Sequence, residues 1–214
     1  MKPRLIVFDL DGTLADTSPG IINSHKFANL KMGRQVPDDE TLAKVIGGPL
    51  LETYKKKFSY SDSDAVEAVR IYRERYATHG INEVEIYSEI PELLKELKSR
   101  GFMLAVATLK AEKFAIPMLT ALGVAQYFDL IHGVDDKDTR TKSFLIELCM
   151  SELNVSKEET ILVGDSSHDA IGAQSAGVGF VAALYGFGFK TKSDVAFFSS
   201  LGSIETPKKL LELL

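Results

Sequence analysis

With 214 residues, 45% of them hydrophobic and 26% charged, the chain has apolar material for one large domain, or for one domain with a smaller insert. A formal net charge of -5 argues against nucleic acid as the main partner, because binding a phosphate backbone needs a concentrated basic face. The single cysteine, Cys149, excludes an internal disulfide, and no apolar run approaches the ~20 residues of a membrane span.

In chain order, "MKPRLIVF" meets Asp9 too soon to hold the apolar stretch of a signal peptide, so a cytoplasmic location is expected. The run "RLIVF" at 4–8 reads as a buried parallel strand, which shows as a short unbroken apolar run rather than as alternation. Two carboxylates, Asp9 and Asp11, follow at once, with Gly12 beside them. Taken alone, Asp-Gly would be an ordinary turn at a strand end.

Residues 16–82 carry several amphipathic helical patterns and no convincing strand, among them "IINSHKFANLKMG" and "SDAVEAVRIYRERYATHG". A connection of that length is read as a helical domain inserted into a core made of 1–15 and 83–214, with "SPG" and "THGINE" as hinges. Lys55, Lys56 and Lys57 read as the solvated face of a helix, and Asp16 as a cap for the segment that follows. Beyond the insert, "PELLKELKSRG" has proline in its first turn, a leucine stripe and a closing glycine, the start and stop signals of one helix. Strands are expected at 102–108, 127–133, 160–164 and 178–184. Helices over "KFAIPMLTALG", "TKSFLIELCMSELN" and "SHDAIGAQSAG" fall between them, and a last one over "IETPKKLLELL". Pro117 is expected to end or kink the first of these near its start. The alternation predicts an α/β fold with a doubly wound parallel sheet.

In such sheets functional groups gather beyond the carboxyl ends of the strands, where strand order reverses. Asp9 and Asp11 follow the first strand, Thr108 ends the second, and Asp165 follows the fourth with Asp169 four residues on. Four converging acids repel one another unless a cation sits among them, and an oxygen-only set suits Mg²⁺. Lys142 at a helix start and the Thr108 hydroxyl add what a phosphoryl group needs around it. One carboxylate can attack phosphorus, and the second can protonate the leaving oxygen and later activate water. Gly12 lets the backbone turn where a side chain would crowd the phosphate. Lys137 competes with Lys142 for the cationic role, His25 and His168 read as structural or surface histidines, and Cys149 as a small buried hydrophobe.

"DLDGTLADT", "ATLK", the helix-start lysine and "GDSSHD", in that order, resemble the four motifs of the haloacid dehalogenase superfamily of phosphatases. The resemblance covers essentially the whole chain, and the insert is similar to the superfamily's α-helical cap. It implies Asp9 as nucleophile and Asp11 as general acid/base, with the Asp11 backbone carbonyl also on the metal. It further implies Thr108 and Lys142 on the phosphoryl oxygens, and Asp165 with Asp169 on Mg²⁺, Asp169 either directly or from behind the first ligands. "VIGGPLLETYKKKF" and the stretch from "YRERYATHG" to "LAVAT" are similar to the phosphoglycolate phosphatase group. The chain departs from that group at "YSE", at Leu109, at Ser166 and Ser167, and in lacking a proline after Lys142.

The reading that follows is a Mg²⁺-dependent phosphatase, a monomer or a homodimer, acting on a small phosphate ester, with neither nucleic acid nor membrane as partner. Phosphoglycolate, nucleoside monophosphates and sugar phosphates stay open as substrates, and the cap is expected to choose among them. A mutase similar to β-phosphoglucomutase shares the chemistry of Asp9 and Asp11, but its cap carries an arginine-bearing loop that "VIGGPL" lacks. A non-catalytic phosphate-binding protein would be expected to have lost a carboxylate, and all are present.

Overall fold

The computed structural model describes residues 3–135 and 139–214, so Lys137 lies outside the described residues. Strand β1 (Leu5–Phe8) is buried along its whole length, and its Leu-Ile-Val-Phe sequence brings no polar side chain into that setting. The two-residue strand β2 (Ala15–Asp16) pairs antiparallel with β3 (Glu85–Ile86). Between these two come α1 (Ser18–Lys31), α2 (Asp39–Ala43), α3 (Leu50–Glu52), a π turn (Thr53–Lys57) and α4 (Asp62–Thr78). Strands and helices then alternate: α5 (Ile90–Ser99), β4 (Met103–Ala111), α6 (Glu112–Ala121), β5 (Leu130–Val134), α7 (Lys142–Leu153) and β6 (Thr160–Gly164). The chain closes with α8 (Ser167–Ala176), β7 (Gly179–Ala183), α9 (Lys192–Val195), β8 (Gly202–Ile204) and a 3-10 helix, Pro207–Glu212.

The main sheet has the order β5-β4-β1-β6-β7-β8, with every pairing parallel. The chain fills one side of β1 and then crosses to the other, so order reverses between β1 and β6, as a doubly wound sheet requires. Helix α5 shows how the pattern becomes packing: Ile90, Leu93, Leu94 and Leu97 fall on one face and are all buried. Cys149 is buried in the same manner on α7, and burial pushes its thiol up to about 12, out of reach of nucleophilic use near neutrality.

Several expectations need correction. Helix α6 runs through Pro117, because burying Ala115, Met118 and Leu119 offsets the roughly 3 kcal/mol that an interior proline costs. The final segment is a 3-10 helix rather than an α-helix, and β8 adds a sheet edge too short to show as an apolar run. "SPG" forms the first turn of α1 instead of a hinge. Thr17, not Asp16, occupies the cap position of that helix, and Asp16 pairs with Glu85 in the β2–β3 ribbon.

The chain divides into two compact units, one reaching to Asp16 and resuming as Glu85–Leu214, the other Thr17–Val84. In the helical unit, Arg75 on α4 makes two hydrogen bonds of 2.7 Å to the Glu83 carboxylate and one of 3.2 Å to Ser24 Oγ on α1. His25 is buried among Tyr54, Phe58 and Tyr72, with Nδ1 3.1 Å from the Tyr54 hydroxyl. Burial drives its imidazole down to about 4. Neutral His25 is therefore the folded form, and below its unfolded value of 6.5 the unfolded chain binds the extra proton. Stability is present in full above pH 6.5 and falls as pH drops toward 4, by up to about 3 kcal/mol. Thermal melts of the parent and of His25→Gln should diverge over this window, the parent losing more midpoint; parallel curves would mean that His25 does not set the acid limit.

Candidate active site

Register places the acids. Phe8 lies opposite Val106 of β4 and Val163 of β6, so the residues just past these three strands emerge at one end of the sheet. The Asp9 backbone N–H still donates to the Val163 carbonyl at 2.9 Å, which fixes the first carboxylate at that end. Asp165 is the residue after β6, and Thr108, fully buried, stands on β4. Thr141 caps α7 by accepting from the Phe144 N–H at 3.2 Å, and this presents Lys142 in the first turn, only 5% exposed.

Asp9, Asp165 and Asp169 are all buried, and each offers one oxygen within 4.8 Å of the others. Lys142 Nζ donates to Asp9 Oδ1 at 2.6 Å and to the Ala107 carbonyl at 2.8 Å, and lies 2.7 Å from Asp169 Oδ1. The last contact pairs the buried ammonium with Asp169 Oδ1. Its other oxygen, Oδ2, is occupied in the cap of α8, receiving Ser166 Oγ at 2.7 Å and Ser166 N–H at 3.0 Å. Asp165 Oδ2 is fixed by two backbone donors, Phe187 at 2.5 Å and Gly188 at 3.0 Å. Gly12 has φ +83°, and a Cβ there would stand 2.5 Å from Asp165 Oδ2, so the turn demands glycine for conformation and for space.

Electrostatics follow from burial. Removal from water pushes the Asp9 carboxyl well above the usual carboxylate range; Lys142 works against this, while Asp169, Asp11 and Asp165 add to it. Asp165 is raised as well, by burial first and then by Asp169, against the Gly188 and Phe187 N–H groups and Lys142. Burial opposes the charge on Lys142, yet Asp169 and Asp9 outweigh it and hold the ammonium above its ordinary range. Among the described residues, Lys142 pairs with two of these three buried acids, Asp9 and Asp169. That imbalance, with an all-oxygen donor set, fits a hard divalent cation.

Asp11 stands apart. Its carboxylate is held by Lys110, whose Nζ lies 2.8 and 3.1 Å from the two oxygens, and it is not part of the close-set trio. Lys110 was visible in "ATLK", two residues past Thr108, but only the folded chain shows what it meets. The Phe187–Gly188 donors were equally missed, since "YGFGF" reads as core aromatics unless its paired glycines are taken as a sign of close backbone approach. Among the described residues no helix is long and apolar enough to cross a membrane.

The family model for haloacid dehalogenase-like hydrolases matches residues 6–183. The chain is similar to a 5'-nucleotidase of Pseudomonas aeruginosa, 38% identical over 86% of this chain and 83% of that one. It is 35% identical to the tyrosine-protein kinase PtkA of Mycobacterium bovis over 87% of this chain, which spans 64% of that longer relative. A phosphoglycolate phosphatase of Aquifex aeolicus is 31% identical over 99% of this chain and 96% of its own length. Among solved structures, a phosphatase from Clostridium difficile superimposes with a TM-score of 0.90 at 34% identity, covering all of both chains.

Proposed function

This chain belongs to the haloacid dehalogenase-like hydrolases and is a phosphoric monoester hydrolase, and from that premise we propose that it cleaves a small phosphorylated metabolite through an aspartyl phosphate on Asp9, with Mg²⁺ held by Asp9, Asp165 and Asp169. The observation that carries the reading is the buried trio Asp9, Asp165 and Asp169, two of whose members, Asp9 and Asp169, pair with the buried Lys142. The Asp11 backbone carbonyl is a further oxygen for the cation, which would offset charge on the phosphoryl oxygens when bound.

The chain's own groups supply the rest. An Asp9 oxygen attacks phosphorus and the bond to the leaving oxygen breaks, while Asp11 gives that oxygen its proton. Lys142 and the Thr108 hydroxyl face the phosphoryl oxygens, and the turn at Gly12 leaves them room. Asp11, now ionised, takes a proton from water as the water oxygen attacks the acyl phosphate, which releases phosphate and restores Asp9. The helical unit selects the ester, since every group assigned to chemistry lies outside residues 17–84.

Similarity to a tyrosine-protein kinase favours one second reading, in which a hydroxyl of another molecule takes the phosphoryl group from Asp9 in place of water. Phosphate release separates the two. Purified protein stripped with EDTA should hydrolyse an aryl phosphate at least about 100-fold more slowly than with Mg²⁺ restored. Rapid acid quench should trap a hydroxylamine-labile phosphoryl group on the protein. Full activity in EDTA would rule out the cation, and release of phosphate only when an acceptor alcohol is added would support transfer.

A further inference from the structure

Resting on the reading of Asp11 as the acid that protonates the leaving oxygen, the structure assigns Lys110 as a positioning residue that keeps Asp11 turned away from the other three carboxylates and toward the leaving group. Four acids and two lysines sort into two sets. Lys142 serves Asp9 and Asp169 within the trio, while Lys110 grips both oxygens of Asp11 at 2.8 and 3.1 Å. The lysine side chain is 6% exposed and that of Asp11 14%, so water screens this pair far less than a surface ion pair.

The backbone is shaped to deliver this contact. Pairing of β4 with β5 runs in step to Thr108 opposite Gly133, then resumes at Ala111 opposite Val134, so Leu109 and Lys110 bulge out of the ladder. The Lys110 N–H turns back to the Thr108 hydroxyl at 3.1 Å. A Cβ on Gly133 would stand 2.5 Å from the Lys110 carbonyl, so the bulge fits only against a residue without a side chain. Bulges re-aim side chains, and this one carries the Lys110 ammonium to the opening where β1 ends. Without that contact, the Asp11 carboxyl is no longer held apart from the trio, and it swings out of reach of the leaving oxygen.

The test separates esters by leaving group. Nitrophenolate departs without a proton, whereas the alkoxide of an alkyl phosphate such as glycerol phosphate must be protonated. The comparison uses kcat/KM, which reports only the steps through the first bond cleavage and so leaves out Asp11's later work on water. Lys110→Met should lose about 100-fold or more on the alkyl ester and less than about 5-fold on nitrophenyl phosphate, with Lys110→Arg recovering most of the alkyl rate. Asp11→Asn, run beside it, should show the same split. Equal losses on both esters for Lys110→Met, with the split kept by Asp11→Asn, would make Lys110 structural and overturn this inference alone. Absence of the split in Asp11→Asn would overturn the role of Asp11 and this inference with it. Should Lys110→Met fail to fold, Gly133→Ala presses on the bulge while keeping the charge; about a 10-fold loss confined to the alkyl ester supports the assignment, and an even loss overturns it.

Discussion

Asp9→Asn should lower phosphate release by about 10⁴-fold or more, while the protein stripped of cations melts at a higher temperature than its parent. The first effect follows from chemistry, because an amide keeps the shape of the carboxylate but cannot attack phosphorus. The second follows from the cost of the site. Asp9 is buried and its folded pKa is raised, so between the unfolded value of 3.8 and the folded one the native state holds the extra proton. Stability conferred by that proton is lost as pH rises through the window, and near neutrality ionised Asp9 weighs against folding. Asparagine removes one negative charge from three, and Lys142 keeps Asp169 beside it. Activity and melting in EDTA, measured on the same preparations, check both parts. A variant that keeps more than a trace of turnover would remove Asp9 from the nucleophile's role. A lower melting temperature would mean that the Lys142–Asp9 bond of 2.6 Å stabilises more than the repulsion costs.

Asp165→Ala should raise the Mg²⁺ concentration needed for half-maximal activity by at least about 100-fold, since Mg²⁺ demands a nearly complete oxygen octahedron. Its effect on stability should differ from that of Asp9→Asn. Asp165 Oδ2 accepts from both Phe187 and Gly188, and alanine leaves those two N–H groups without their acceptor. A stranded buried donor costs about 1–3 kcal/mol, so the alanine variant should melt below the asparagine variant, which retains an acceptor. Titration of Mg²⁺ against activity, with melts of Asp165→Ala and Asp165→Asn in EDTA, separates cation loss from loop loss. An unchanged titration curve would put the cation elsewhere.

The alanine experiment also marks where reading the sequence stops. Asp165 was identifiable as a strand-end carboxylate, because "TILVG" can only be a short buried run and the residue after it must leave the sheet. What holds its second oxygen comes from residues 187 and 188, beyond another helix and strand, and local pattern carries no trace of that approach. The sequence by itself determined the parallel sheet and its helices and put Asp9, Asp11 and Asp165 just past strands, because these depend on unbroken apolar runs, on a periodicity of 3.6 residues and on where the runs stop. Helix α6 continues through Pro117 and the last segment is 3-10 rather than α, because there burial against distant residues, or the lack of it, outweighs a local propensity. Only the tertiary structure decided that Lys142 joins the trio while Lys110 takes Asp11, since each contact spans about a hundred residues or more of chain and depends on strand order, on ladder register and on a bulge opposite Gly133. Composition supplies charges; the direction each one faces is set by packing, which local sequence does not encode.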